Sequence, residues 1–167
     1  MNRHGVFYSI FATLIINLFF CSPSTAGVQK ELANSYSNGI SMSIAINDWA
    51  EPSVFSQSDP VSVAINFEPG DYAGVPADWW LLAVVPSGEC YYPDESGTWI
   101  GPVSLSQVQT VAQCALFPLS GQTVLNVPGL PAGAYHFYFG IDVWNGVIDP
   151  FIIYTGTSLT IVEMHKI

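Results

Sequence analysis

Asp142, Asn145 and Asp149 form the pattern D-x-x-N-G-x-x-D near the C-terminal end of the chain. Carboxylate and amide oxygens spaced around a glycine turn are ligands that Ca²⁺ takes in proteins. An acidic hairpin turn, in which the Asn-Gly pair supplies the positive φ values, explains the same letters without a metal. The pattern therefore predicts either a turn or a calcium site, to which Asp71 and Asp78 would add ligands if their loops lie near by.

The chain's five tryptophans form a second group of residues that could bind a ligand. Flat aromatic faces stack on sugar rings, whereas inside a β-sandwich the same side chains fill the core. Trp79 and Trp80 adjoin in an apolar run, so we expect whichever points inward to lie in the core. Two tryptophans in predicted loops, with neighbouring tyrosines, are the candidate ligand-binding residues: Trp99, Trp144, Tyr91, Tyr92 and Tyr138.

Residues suited to catalysis are few. His136 and His165 are the only histidines beyond the N-terminal segment, and no G-x-S-x-G, H-E-x-x-H or Cys–His arrangement occurs. Paired carboxylates can hydrolyse glycosides, but the adjacent acids Asp94 and Glu95 fall in a short predicted loop. The sequence predicts a non-catalytic protein with no catalytic residues.

Charge excludes further classes of function. Thirteen acids outnumber three bases, which gives a net charge of −10. A nucleic-acid-binding protein needs a basic footprint, and phosphate clamps need arginine, so both are excluded. A hydrophobic fraction of 50% with only 10% charged residues also excludes disorder.

The first residues, Met1–Ala26, are typical of a secretory signal peptide. A short polar segment with Arg3 precedes an apolar run, and Ser24-Thr25-Ala26 offers small residues at a cleavage site. A retained membrane anchor is the alternative, although the run of about 15 apolar residues is shorter than the roughly 20 that span a bilayer. A lipid-anchored Cys21 is a third alternative. We expect a secreted or cell-surface protein with no membrane span after cleavage.

Export would also decide the role of the cysteines. Removal of Cys21 leaves Cys90 and Cys114, an even number in an oxidising compartment, which favours one disulfide between them. That bond would close a loop of about 25 residues and stabilise the fold by roughly 3 kcal/mol. A metal held by the two thiols is the alternative, but no C-x-x-C spacing supports it.

The rest of the sequence predicts one β-rich domain. Gly27–Gly39 is polar and predicts a flexible lead-in, and residues 40–167 form a single domain. Seven or eight short runs of period two, with turn letters between them and no long helical period, predict an antiparallel β-sandwich of immunoglobulin or fibronectin character. Trp79–Val85 is apolar on both faces and predicts the central strand. Asp48–Pro60 and Pro93–Gly101 are interpreted as connections, the second carrying Trp99.

Two blocks of sequence carry a family resemblance. The segment L-P-A-G-A-Y at 130–135 resembles the tyrosine corner of immunoglobulin-like and fibronectin-like sandwiches. Together with A-D-W-W at 77–80, H-F-Y-F-G-I-D at 136–142 and N-G-V-I-D at 145–149, it resembles a module that recurs in secreted and cell-surface bacterial proteins. The resemblance covers roughly residues 60–162. It implies a sandwich fold and an extracellular location, with no assigned chemistry.

Two functions follow from these observations. The first is a non-catalytic module that binds other extracellular proteins, or itself, by pairing exposed strand edges. The alternative is a calcium-stabilised carbohydrate-binding module that uses the loop tryptophans and their neighbouring tyrosines.

Overall fold

A computed structural model describes residues 39–48, 53–144 and 153–163. These residues form ten strands: β1 (Ser41–Ile46), β2 (Ser53–Ser56), β3 (Val61–Glu68), β4 (Pro76–Val84), β5 (Cys90–Pro93), β6 (Trp99–Val103), β7 (Ala112–Ala115), β8 (Leu119–Val127), β9 (Gly133–Val143) and β10 (Ile153–Val162). Two short 3₁₀ turns lie at Gly70–Tyr72 and Leu105–Gln107. In this part of the chain no helix is long and apolar enough to span a bilayer. The predicted signal peptide lies outside the described residues.

The strands form two sheets that pack against each other. The smaller sheet has the order β1-β3-β8, and the larger has the order β2-β10-β9-β4-β5-β6, with β7 pairing beside the N-terminal half of β4. All the pairings are antiparallel except that of β2 with β10. The predicted all-β sandwich is therefore confirmed, with ten strands in the described residues rather than seven or eight.

Alternation of apolar and polar residues builds the core between the sheets. In β3, Val61, Val63 and Ile65 are buried while the residues between them are partly or fully exposed. The period of two places alternate side chains on opposite faces, so the apolar set faces the larger sheet. In β9 the buried set is Tyr135, Phe137, Phe139 and Ile141.

The central strand β4 has Trp79 as its inward tryptophan. The Trp79 ring packs edge-on against Phe67 of the smaller sheet, with ring centroids 5.3 Å apart. Its indole Nε1–H donates to the Cys114 carbonyl at 3.4 Å. Trp80 therefore points to the opposite face of the sheet, where it is also buried but its Nε1 has no hydrogen-bond partner among the described residues. β4 lies between β9 and β5, as predicted for a central strand, although Leu82 and Val84 are only half-buried on that opposite face.

The tyrosine corner forms as predicted. The Tyr135 hydroxyl donates to the Pro131 carbonyl at 2.9 Å, and the ring is fully buried. Gly133 lies so close to Pro86 that a Cβ at this position would overlap the proline ring. Glycine is therefore required at the entry to β9.

Two predicted connections contain strands. Ser53–Ser56, within the predicted connection Asp48–Pro60, is β2, which pairs with β10. Trp99 does not lie in a loop but begins β6, and it is buried. Its indole Nε1–H donates across the sandwich to the Val124 carbonyl of β8 at 3.2 Å, so this tryptophan joins the two sheets.

The predicted disulfide between Cys90 and Cys114 is wrong, because Cys90 is a free, buried thiol. Cys90 pairs with Val84 of β4, whereas Cys114 pairs with Ala77. Seven residues of an extended strand separate these two levels, a distance of about 23 Å. Cα atoms joined by a disulfide lie within about 7 Å of each other, so the two cysteines are too far apart.

Candidate functional site

The outer face of the larger sheet, which points away from the smaller sheet, has an unusual composition. The registers of its pairings place these side chains there: Val54 and Ser56 of β2, Asp78, Trp80, Leu82 and Val84 of β4, Cys90 and Tyr92 of β5, Ala134, His136, Tyr138, Gly140 and Asp142 of β9, and Tyr154, Gly156, Ser158, Thr160 and Val162 of β10. By contrast, the outer face of the smaller sheet carries small polar residues, among which Asn66 Nδ2–H donates to Ser43 Oγ at 3.1 Å. An antiparallel sheet with one solvated face ordinarily resembles the smaller sheet.

The outer face of the larger sheet presents no formal charge to solvent among the described residues. Its only acids, Asp78 and Asp142, are fully buried. The exposed acids lie instead in turns and at strand ends: Asp48, Glu68, Asp71, Glu95 and Glu163. On a chain of net charge −10, this face has no exposed acid among the described residues.

Four residues of β9 and β10 form what we call the tyrosine–glycine square: Tyr138, Gly140, Tyr154 and Gly156. Tyr138 pairs with Gly156, and Gly140 pairs with Tyr154, so each tyrosine stands opposite a glycine. Tyr154 is 60% exposed and Tyr138 is 36% exposed. On the far side of Gly140 lies Trp80 of β4, so three aromatic residues surround the small positions.

Further along the same face lies what we call the aliphatic end: Val54, Ala134, Thr160 and Val162. Thr160 pairs with both Ala134 and Val54, so one row crosses three strands. Val54 is 69% exposed and Val162 is 44% exposed. Contiguous exposed apolar side chains of this kind mark interaction surfaces.

The next row beyond the square carries two opposed carboxylates. Asp78 and Asp142 are directly paired in the β4–β9 ladder. Gln113 Nε2–H donates to Asp78 Oδ1 at 2.8 Å. The described residues contain no group of three or more acids, histidines or cysteines able to hold a metal, and Asn145 and Asp149 lie outside them. The structure thus brings Asp78 to Asp142 but does not test the predicted calcium loop.

Most of the predicted aromatic ligand residues are buried. Trp99, Tyr91 and Tyr92 are enclosed by the fold. Trp144, at 38% exposed, and Tyr138 remain accessible, and Tyr138 belongs to the square. Sequence reasoning missed Tyr154 and the two glycines, although the period of two through residues 153–162 would have placed Tyr154 on the outer face.

Cys90 and His136, the described residues that could form a nucleophile–base pair, do not come together. Cys90 and His136 occupy one row but flank Val84, two strand spacings or about 10 Å apart. A cysteine–histidine pair must lie within hydrogen-bond reach. Burial raises the pKa of the Cys90 thiol, which disfavours the reactive thiolate.

The acidic turn between β5 and β6 has a structural role. Asp94 Oδ1 accepts hydrogen bonds from the backbone N–H groups of Ser96 and Thr98, at 2.8 and 3.0 Å, and from the Ser96 hydroxyl. Burial alone would raise the pKa of Asp94, but these hydrogen bonds outweigh it and lower that pKa. The carboxylate therefore shapes the turn.

Several strand edges are occupied. In β2 the Ser56 N–H donates to Asp59 Oδ2 at 2.7 Å, and in β6 Pro102 has no N–H to offer. In β8 the Gly121 N–H donates to Asn66 Oδ1 at 2.7 Å, while the Val124 carbonyl accepts from the indole that bridges the sheets. Short edges, proline and side-chain caps of this kind oppose edge-to-edge pairing.

Comparison of the chain with protein-family models and with curated proteins finds no match.

Proposed function

We propose that the chain is a non-catalytic secreted or cell-surface module that acts in protein–protein interaction, with the aliphatic end of the outer face as its docking surface. The observation that carries this proposal is the exposure of Val54 and Val162 on an uncharged face. We favour docking on the face over the edge pairing expected from the sequence because side-chain hydrogen bonds occupy backbone groups of β2 and β8, and Pro102 interrupts β6.

The charge pattern favours a second copy of the chain as the partner. A basic partner would be attracted to the acidic turns, whereas two chains of net charge −10 repel wherever those turns approach. The uncharged face is the surface on which two copies can meet without opposing carboxylates. The remaining long-range repulsion falls with salt, because the screening length is about 8 Å at physiological ionic strength.

Sedimentation velocity of the purified mature chain, over a range of protein and salt concentrations, tests this proposal. We expect a concentration-dependent dimer that strengthens with salt. The double variant Val54→Glu/Val162→Glu should be monomeric, because it places carboxylates at the contact. Ser41→Glu/Ala45→Glu is the matched control, since it adds the same two charges to the outer face of the smaller sheet and should leave the dimer intact. A wild-type monomer at all concentrations would refute the proposal.

Calcium-stabilised carbohydrate binding is the second candidate function, and the Asp78–Asp142 pair favours its metal component. Asp78 and Asp142 stand directly opposite each other and supply carboxyl oxygens of the kind that Ca²⁺ takes in proteins. The amide and carboxylate of Asn145 and Asp149 follow closely in sequence and would complete the ligand set. Calcium would then stabilise the end of β9 and supply no chemistry to a reaction.

A further inference from the structure

We infer that the tyrosine–glycine square is a binding site for a neutral glycan. Its sugar rings would lie on the faces of Tyr138 and Tyr154. This inference goes beyond the proposed docking function and uses a different part of the outer face. It places the second candidate function, carbohydrate binding, on residues that are exposed, and it does not depend on calcium.

The position of Tyr138 is suited to stacking. A Cβ added at Gly156 would lie only 2.9 Å from Cδ1 and 3.1 Å from Cε1 of the Tyr138 ring. One edge of the ring therefore packs against the glycine, in space that a larger residue would fill. Tyr138 is still 36% exposed, so the C–H groups of a sugar ring can reach the aromatic surface.

Tyr154 extends this surface in the next row. It stands opposite Gly140, which has no side chain to fill the space between Tyr154 and Trp80. The two tyrosines are diagonal neighbours on adjacent antiparallel strands, roughly 7–8 Å apart between Cα atoms. Successive rings of one glycan chain can occupy two aromatic faces placed this way.

Hydrogen-bonding groups border the square on one side. His136 and Ser158 form the adjacent row, one exposed and one half-buried, and both can bond to sugar hydroxyls. A polar group beside an aromatic face is the combination that fixes the orientation of a ligand.

Electrostatics selects a neutral glycan over an acidic one. The chain contains only Arg3, Lys30 and Lys166 as bases, all outside the described residues. With a net charge of −10 and no lysine or arginine among the described residues, the chain would repel a polyuronate or sulfated glycan.

The square and the aliphatic end can be tested separately. Gly156 and Thr160 are four residues apart along β10, or about 13 Å. Substitutions at one end therefore leave the other in place.

Affinity electrophoresis of the purified mature chain through gels containing soluble neutral polysaccharides tests the inference. The probes are a mixed-linkage β-glucan, xyloglucan, galactomannan and dextran, with polygalacturonate as the acidic comparison. We expect at least one neutral polysaccharide to retard the protein and polygalacturonate to have no effect. Tyr154→Ala and Tyr138→Ala should each weaken binding by about tenfold, whereas Tyr138→Phe, which keeps the ring, should bind as the wild type does.

Two further variants separate this site from the docking surface and from general effects on folding. In Gly156→Ala the added methyl group would lie 2.9 Å from Cδ1 of Tyr138, so the ring must move. This variant should bind the glycan more weakly, while its circular dichroism spectrum and melting temperature stay close to those of the wild type. Val54→Glu/Val162→Glu should lose dimerisation but keep glycan binding. Failure of all four neutral polysaccharides to retard the wild type, or retention of binding by Tyr138→Ala/Tyr154→Ala, would overturn the inference.

Discussion

The hydroxyl of Tyr135 donates a hydrogen bond of 2.9 Å to the carbonyl of Pro131, across the turn that leads into β9. The Tyr135 side chain is fully buried and Pro131 is half-buried, and β9 is the strand that carries Tyr138 and Gly140 of the tyrosine–glycine square. The corner therefore positions the candidate site as well as closing the core.

Replacement of Tyr135 by Phe should lower the free energy of unfolding by about 1–2 kcal/mol, because the Pro131 carbonyl loses its donor. Burial, together with the charge of Tyr91, raises the pKa of Tyr135 from 10.0 to about 12. The neutral phenol is thus favoured in the folded state. The neutral Tyr135 side chain therefore makes its full contribution to the free energy of unfolding below pH 10, and this contribution is lost as the pH rises from about 10 to about 12.

Urea denaturation of the wild type and of Tyr135→Phe between pH 8 and 12 measures both effects. The difference between the two proteins should shrink as the pH rises from about 10 to about 12. Tyr154→Phe, which alters an exposed phenol, serves as the control and should be as stable as the wild type. A constant difference across that range would contradict the assignment.

The neighbouring tryptophans Trp79 and Trp80 should respond differently to the same substitution. Trp79→Phe removes a ring packed against Phe67 and a hydrogen bond to a backbone carbonyl, so we expect a loss of roughly 2 kcal/mol. Trp80→Phe also removes a buried N–H that has no partner, and its net cost should stay below about 1 kcal/mol. Chemical denaturation compares them, and equal losses would show that the unpaired N–H carries no penalty.

Calcium should raise the melting temperature of the wild type by about 5–10 °C at roughly 100 times its Kd. Asp142→Asn weakens the proposed ligand set and should abolish that increase. Glu163→Gln, which removes an exposed carboxylate at the opposite end of the β9–β10 pair, is the matched control and should respond as the wild type does. Differential scanning calorimetry in calcium and in chelator measures these melting temperatures. If calcium leaves the melting temperature of the wild type unchanged, the proposed calcium site is refuted.

Local features of this fold were predictable from sequence, and neighbour relationships were not. The tyrosine corner and the alternation in β3 depend on residues close together in the chain, so the local sequence is sufficient to predict them. Trp99 was misplaced because it directly follows a turn rich in Pro, Asp, Ser and Gly, and nothing local shows that β6 begins there. The disulfide prediction failed because it required Cys90 and Cys114 to lie at one level of β4.

The candidate site illustrates the same limit. Alternation puts Tyr138 and Tyr154 on a face of the sheet, but only the β9–β10 register shows that each stands opposite a glycine. The pairing of Asp78 with Asp142 likewise depends on β4 and β9 being neighbours. Both relationships join residues that are distant in the chain, and the periodicity within a single strand cannot show which strands are neighbours.

The parallel pairing of β2 with β10 has a consequence for how the protein is assembled in time. Ser53 pairs with Leu159, which is 159 minus 53, or 106 residues, further along the chain. A contact of such long range forms late, because the intervening chain must be in place before it can close. During synthesis from the N-terminus, β2 has no partner strand among the described residues until β10 has been made. The larger sheet therefore cannot be completed before residues 153–162 have been synthesised.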